Sequence, residues 1–249
     1  MTVLHPSVSR GSVAALFAIG CGEPLYAGSD IVWIATHERG DLAEWSGVDA
    51  NAGTVEASRD AAHGGQYSAK LTRDAVSAES GPGLFRDVRG YGALYYAAWF
   101  LIPAQYATAS RWTIVKFRLR DSVSGADPAE GFDLDLRALP DGDYVLSAFD
   151  HNQDYLQAPI ALPAPIVRVK SWFQLEVLYR PSANADGGIV VWLDGRPVYR
   201  LEHHPTAADG AFFSPCNVAL DLTPSPAALY VDDAAVSLTR ITPDGVLRR

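Results

Sequence analysis

Cysteine is almost missing from this chain. Only Cys21 and Cys216 occur among 249 residues. At most one disulfide can form, so the fold is no small cross-linked scaffold and must rest on a packed core. No His/Cys spacing of the zinc-binding kind is present. No apolar run reaches the ~18 residues that a membrane-spanning helix needs. Basic charge is also scarce: 20 Lys and Arg face 29 Asp and Glu, leaving a formal charge of −9 with no basic cluster. Such a surface repels phosphate backbones and excludes nucleic acid as a partner. Helical periodicity is nearly lacking, because no window of a dozen residues sustains apolar positions at i, i+3, i+4 and i+7 without Gly or Pro.

What is present is a succession of short strand signals. "IVWIA" (31–35), "GTVEAS" (53–58), "YSAKLT" (67–72), "LYYAAWFLI" (94–102), "RWTIVKFRLR" (111–120) and "GFDLDLRAL" (131–139) come first. "DYVLSAF" (143–149), "SWFQLEVLYR" (171–180), "GIVVWLD" (188–194), "PVYRL" (197–201), "NVALDL" (217–222) and "ALYVDDAAVSL" (228–238) follow. Gly, Pro, Asp, Asn and Ser punctuate them, which predicts an all-β antiparallel sandwich or barrel. In "VVWLDGRPV" the Asp194-Gly195 step supplies the positive φ angles of a tight hairpin turn. The Pro-rich "QAPIALPAPIV" (157–167) reads as a loop or edge segment. No linker, charge run or repeat divides 29–240, so that span reads as one domain, with a C-terminal tail over 241–249.

Residues 1–28 differ. Arg10, the apolar run from Val13 to Ile19 and then Gly20-Cys21 resemble a bacterial lipoprotein signal, with Ala18 where that pattern prefers Leu. The resemblance implies export, acylation of Cys21 and a cell-surface or extracellular protein. Cys216 would then be a small buried hydrophobe; a Cys21–Cys216 disulfide is the alternative.

Alternation assigns strand faces. Val115, Phe117 and Leu119 are expected on the core side with Thr113, and Lys116, Arg118 and Arg120 on the other side with Ile114. Phe132, Leu134 and Leu136 oppose Asp133, Asp135 and Arg137. Phe173, Leu175 and Val177 oppose Gln174 and Glu176. The charged faces are either plainly solvated or line a concave cleft.

Taken together, "DIVWIATHERGDLAEWSG" (30–47), "AAHGGQYSAKLT" (61–72), "YYAAWFLIPAQY", "WFQLEVLYRPSANADGGIVVWLDGRPV" and "PSPAALYVDDAAVSL" resemble concanavalin A-like jelly rolls of the heparin-lyase-like polysaccharide lyase type. Within that framework Trp172 and Trp192 read as packing residues. The resemblance implies a structural calcium tying the first strand to the last, with Glu38 and Asp232 as ligands. A carboxylate on an apolar strand face, such as Asp232, needs a cation or hydrogen-bond donors, and a hard oxygen site suits calcium.

The resemblance implies β-elimination on a uronate-containing polysaccharide. Such a lyase must neutralise the uronate carboxylate, remove the C5 proton and protonate the leaving oxygen. Lys116, Arg118 and Arg137 are the candidate cations, His151 and Tyr155 the candidate proton movers, and Gln153 a further carboxylate holder. A retaining glucanase is disfavoured, because Asp133-x-Asp135 is followed by Arg137 where a third carboxylate is needed. Other lyase signatures of the fold, Arg-x-Glu-Leu-Arg and Gln-Ile-His, are missing. The alternative is a non-catalytic carbohydrate-binding or cell-surface interaction module that uses the same face.

Overall fold

The structure, a computed structural model, describes residues 30–74, 81–108, 111–118, 131–151, 155–156, 164–206, 211–219 and 221–244; Arg118, Tyr155, Leu156, Ala211 and Phe212 are described by backbone alone. These residues form strands and turns and no helix. The strands are β1 (Ile31–Ala35), β2 (Gly47–Asp49), β3 (Gly53–Ser58), β4 (Ser68–Arg73), β5 (Gly83–Val88), β6 (Leu94–Leu101), β7 (Trp112–Arg118) and β8 (Gly131–Ala138). The second half adds β9 (Tyr144–Asp150), β10 (Tyr155–Leu156), β11 (Ile166–Val167), β12 (Trp172–Arg180), β13 (Gly188–Leu193), β14 (Arg196–Glu202), β15 (Ala211–Ala219) and β16 (Ala227–Ser237).

They make two sheets. The first runs β14-β13-β12-β6-β16-β4-β3 with β1 on β16; the second runs β10-β9-β8-β7-β15-β5-β2 with β11 on β9. Each interstrand pairing is antiparallel, and strands distant in sequence lie side by side, which makes the sandwich a jelly roll. Aromatic side chains fill the space between the sheets. Phe117 of β7 stacks on Tyr179 of β12 at 5.4 Å and meets Tyr96 of β6 edge-on at the same separation. Buried Asn217 binds across the sandwich with both ends of its amide. Its Nδ2 donates to the carbonyls of Leu71 and Ala227, and its Oδ1 accepts from the Trp112 indole at 2.9 Å. No polar atom of that amide is buried without a partner.

The Asp194-Gly195 turn joins β13 to β14 with φ of 49° and 75°, as the dipeptide requires. Trp192 is buried, and the Arg240 guanidinium covers it at 4.3 Å from the ring centroid. Phe173, Leu175 and Val177 enter the core as expected. Glu176 on the other face is buried too, because Arg240 and the Ile241 amide lie over it and donate to its carboxylate.

Two strands depart from the sequence pattern. β5 carries no clear alternation, since Arg86-Asp87 interrupts its apolar residues. β15 starts earlier than "NVALDL" and contains Pro215, although it lies between β5 and β7. The pairing of β15 with β7 slips between Pro215 and Val218, which accommodates the missing N–H.

A bulge also corrects the face assignment in β7. Val115 and Phe117 are in the core, but so is Ile114, while Thr113 stands opposite Asp135 on the polar face. The register slips between Thr113 and Val115. One extra residue inverts the alternation on one side of it. Cys216 is buried, its thiol 3.5 Å from the Thr113 carbonyl; Cys21 lies outside the described residues.

Candidate active site

Three neighbouring strands build the site. The register sets Asp133 of β8 between Lys116 of β7 and Phe149 of β9, and Asp135 between Thr113 and Ser147. Asp133 and Asp135 alternate with core residues Phe132, Leu134 and Leu136, so their carboxylates leave the sheet on the side away from the core. Both are nevertheless buried. A ring of side-chain contacts closes over them. His151 Nε2 lies 2.9 Å from Asp133 Oδ2, and its imidazole meets Phe149 edge-on at 4.8 Å. The Arg111 guanidinium covers Phe149 at 4.0 Å, and its Nη1 lies 3.7 Å from Asp135 Oδ2.

The two carboxylates differ electrostatically. Burial, followed by the neighbouring charge of Asp133, pushes the Asp135 carboxyl up to about 6, against the pull of Thr113, Arg111 and His151. Asp133 faces an imidazole instead. An ionised carboxylate only accepts hydrogen bonds, so it holds the His151 proton on Nε2 and leaves the Nδ1 lone pair as the basic position. His151 itself is anchored by its backbone N–H to the Gly131 carbonyl at 2.9 Å. The arrangement can orient a base, present the cations of Lys116 and Arg111, and hold a second carboxyl pushed up to about 6.

Of the residues expected from sequence, His151 and Lys116 flank the same carboxylate, that of Asp133. Arg137 shares the strand and face of Asp135 but is exposed at the end of β8, opposite Val145. The backbones of Arg118 and Tyr155 pair with Gly131 and Asp150, which brings both chain segments to the His151 end of the sheet. Their side chains, and all of Gln153, lie outside the described residues. Sequence reasoning missed Arg111. It opens the "RWTIVKFRLR" strand signal without an assigned face, and the bulge that hides the true face of Thr113 also hides that of Arg111, two residues before it. His204, unassigned in the sequence, pairs with Asp150 Oδ2 at 2.8 Å in a buried contact.

Glu38 and Asp232 meet one glycine-containing loop. The amides of Gln66 and Tyr67 donate to Glu38, and those of His63 and Gly64 donate to Asp232 Oδ2. Asp232 Oδ1 also accepts from the Asp233 amide and lies 3.3 Å from His37 Nδ1. Backbone donors therefore occupy the carboxylate oxygens that a calcium ion would use. Among the described residues no group of three or more acidic, His or Cys side chains converges as a metal site.

Comparison with family models finds no match, and comparison with curated proteins finds none. Comparison with solved structures does. The fold is similar to that of an endo-β-1,4-glucuronan lyase from the fungus Trichoderma reesei, with a TM-score of 0.61 at 15% identity, covering 88% of this chain and 100% of the lyase. It is similar to the cellulose-induced protein Cip1, with a TM-score of 0.60 at 16% identity over 84% and 98% of the two chains. The alginate lyase vAL-1 from Chlorella virus matches with a TM-score of 0.55 at 11% identity over 84% and 99%. The chain thus has the concanavalin A-like jelly roll found in polysaccharide lyases. At these identities the likeness concerns the fold.

Proposed function

We propose that this protein is a polysaccharide lyase acting by β-elimination on a uronate-containing glycan. The observation that carries the reading is His151, oriented by Asp133 and placed across the strand from Lys116. His151 Nδ1 takes the C5 proton of the uronate, the C–H electrons form the C4–C5 double bond, and the C4–O bond breaks. The leaving oxygen takes a proton from the Tyr155 hydroxyl. Lys116 and Arg111 attract the uronate carboxylate and stabilise the negative charge that builds on it as C5 loses its proton. Arg118, Arg137 and Gln153 remain candidates for further contacts to the glycan.

The test is ultraviolet absorbance, because the unsaturated uronate absorbs and the products of hydrolysis or binding do not. Polyglucuronate, alginate and heparin-like chains are incubated with wild type, His151→Ala and Tyr155→Phe. Absorbance on at least one glycan, reduced about 10²–10⁴-fold in each variant, is expected. No absorbance on any of them, with retention on one, overturns the lyase reading in favour of a binding module.

Two parts of the reading stand apart from the chemistry. Calcium at Glu38 and Asp232 requires the 63–67 loop to exchange N–H donors for oxygen ligands; a melting temperature lowered by chelator supports the ion, and an unchanged one removes it. Export with acylated Cys21 rests on the leader pattern; palmitate labelling of wild type but not of Cys21→Ala supports it.

A further inference from the structure

A groove lies apart from the ring of Asp133, Asp135 and His151. Its volume is about 450 Å³, and Ile166, Arg168, Trp172, Asp194 and Arg196 are among the residues that line it. Three chain segments meet there: β11, the start of β12 and the Asp194-Gly195 hairpin. β11 pairs with the Tyr144–Val145 end of β9, while His151 follows the opposite end of that strand. With 7 residues in β9, the two places are roughly 20 Å apart at about 3.3 Å per residue.

The chemistry of the lining is specific. Arg168 and Arg196 are exposed, and neither makes an ion pair among the described residues. On a chain with a formal charge of −9, two guanidinium groups beside one carboxylate give this groove a local excess of positive charge. The one acid in the groove, Asp194, accepts the Gln174 amide on Oδ1 at 2.8 Å, and burial raises its carboxyl above the usual range. Trp172 is half-buried, and Ile166 is 40% exposed, so apolar surface adjoins the cations. A uronate chain offers the matching partner. Its sugar faces pack on aromatic and aliphatic surface, and its carboxylates take bidentate hydrogen bonds from arginine.

We propose that this groove is a second, non-catalytic binding site for an anionic glycan, with Arg168 and Arg196 engaging carboxylates and Trp172 the sugar face. The choice of a uronate glycan rests on the lyase reading; the anionic character of the ligand does not. A site roughly 20 Å from His151 lets a long polymer stay attached while its cleaved end leaves. A short oligosaccharide cannot span that distance.

The experiment is affinity electrophoresis in gels holding polyglucuronate, or neutral hydroxyethylcellulose as control. The Arg168→Ala/Arg196→Ala and Trp172→Ala variants are made in wild-type and His151→Ala backgrounds, so that the glycan is not consumed. Retention by polyglucuronate should fall about tenfold in the arginine variant and also fall in the Trp172 variant. Mobility in the neutral gel and turnover of a uronate trisaccharide should stay at the wild-type level. Retention equal to wild type, or no retention of wild type itself, overturns the groove. Wild type that is retained through Arg168 and Arg196 but never yields absorbance refutes the lyase and keeps the groove. Turnover without any contribution of the arginines to retention does the reverse.

Discussion

His151 Nε2 lies 2.9 Å from Asp133 Oδ2, although the two residues are 18 apart in sequence, Asp133 within β8 and His151 just past the end of β9. With Asp133 ionised, the contact sets the imidazole tautomer, so its loss should act on the chemical step. In Asp133→Asn the amide offers an N–H to Nε2 and favours the tautomer with hydrogen on Nδ1. We expect kcat for uronate elimination to fall about 10²–10⁴-fold, with KM little changed. Unchanged kcat, measured alongside an unchanged melting temperature, removes Asp133 as the orienting group.

Asp135 should make stability depend on pH. Its carboxyl is pushed up to about 6 in the folded protein, from an ordinary 3.8. The folded state therefore binds more protons between those values. The stabilising contribution is complete below pH 3.8 and is lost as pH rises through 6. Above pH 7 the ionised carboxylate costs about 2–3 kcal/mol. Asp135→Asn should thus melt higher than wild type at pH 8 and lose that advantage towards pH 4. Parallel melting curves across this range refute the burial argument.

Lys116 and Arg111 offer exposed or half-exposed charge to a polyanion. Their contribution should be screened by salt. Each alanine variant should weaken polyglucuronate binding about tenfold at low ionic strength and flatten its salt dependence. Wild-type affinity in Arg111→Ala would assign that guanidinium to shielding Asp135 alone.

Gly65 permits the loop that meets Glu38. Its φ is +63°, and a Cβ there would stand 2.2 Å from the Glu38 carboxyl carbon. Gly65→Ala should lower stability by about 1–3 kcal/mol in denaturant melts. Glu38→Ala removes the clash, so the double variant should cost less than the sum of the two single changes. Strict additivity would place the strain in the backbone alone.

The strand pattern was readable because β-branched and aromatic residues, alternation and turn chemistry are local properties. Asp194-Gly195 specifies its hairpin, and Phe132, Leu134 and Leu136 find the core from period two alone. His151 and Lys116 entered as candidates through the lyase resemblance, and the fold brings both beside Asp133. The pairing of His151 with Asp133 was hidden, because spacing does not say which strands become neighbours. Arg111 was missed for the same reason, together with the bulge before Val115.

The sequence by itself determined a β-sandwich with at most one cross-link, its acidic surface and the identity of most core residues. Only the tertiary structure decided that Asp133 and Asp135 are buried on the face away from the core. Alternation reports which side of a strand a residue occupies, but not what closes over it. Here the cover comes from Arg111, Phe149 and His151, one from the segment before β7 and two from the end of β9. Their desolvation and mutual charge, properties of the assembled sheet, separate one carboxylate that contacts an imidazole from one pushed up to about 6.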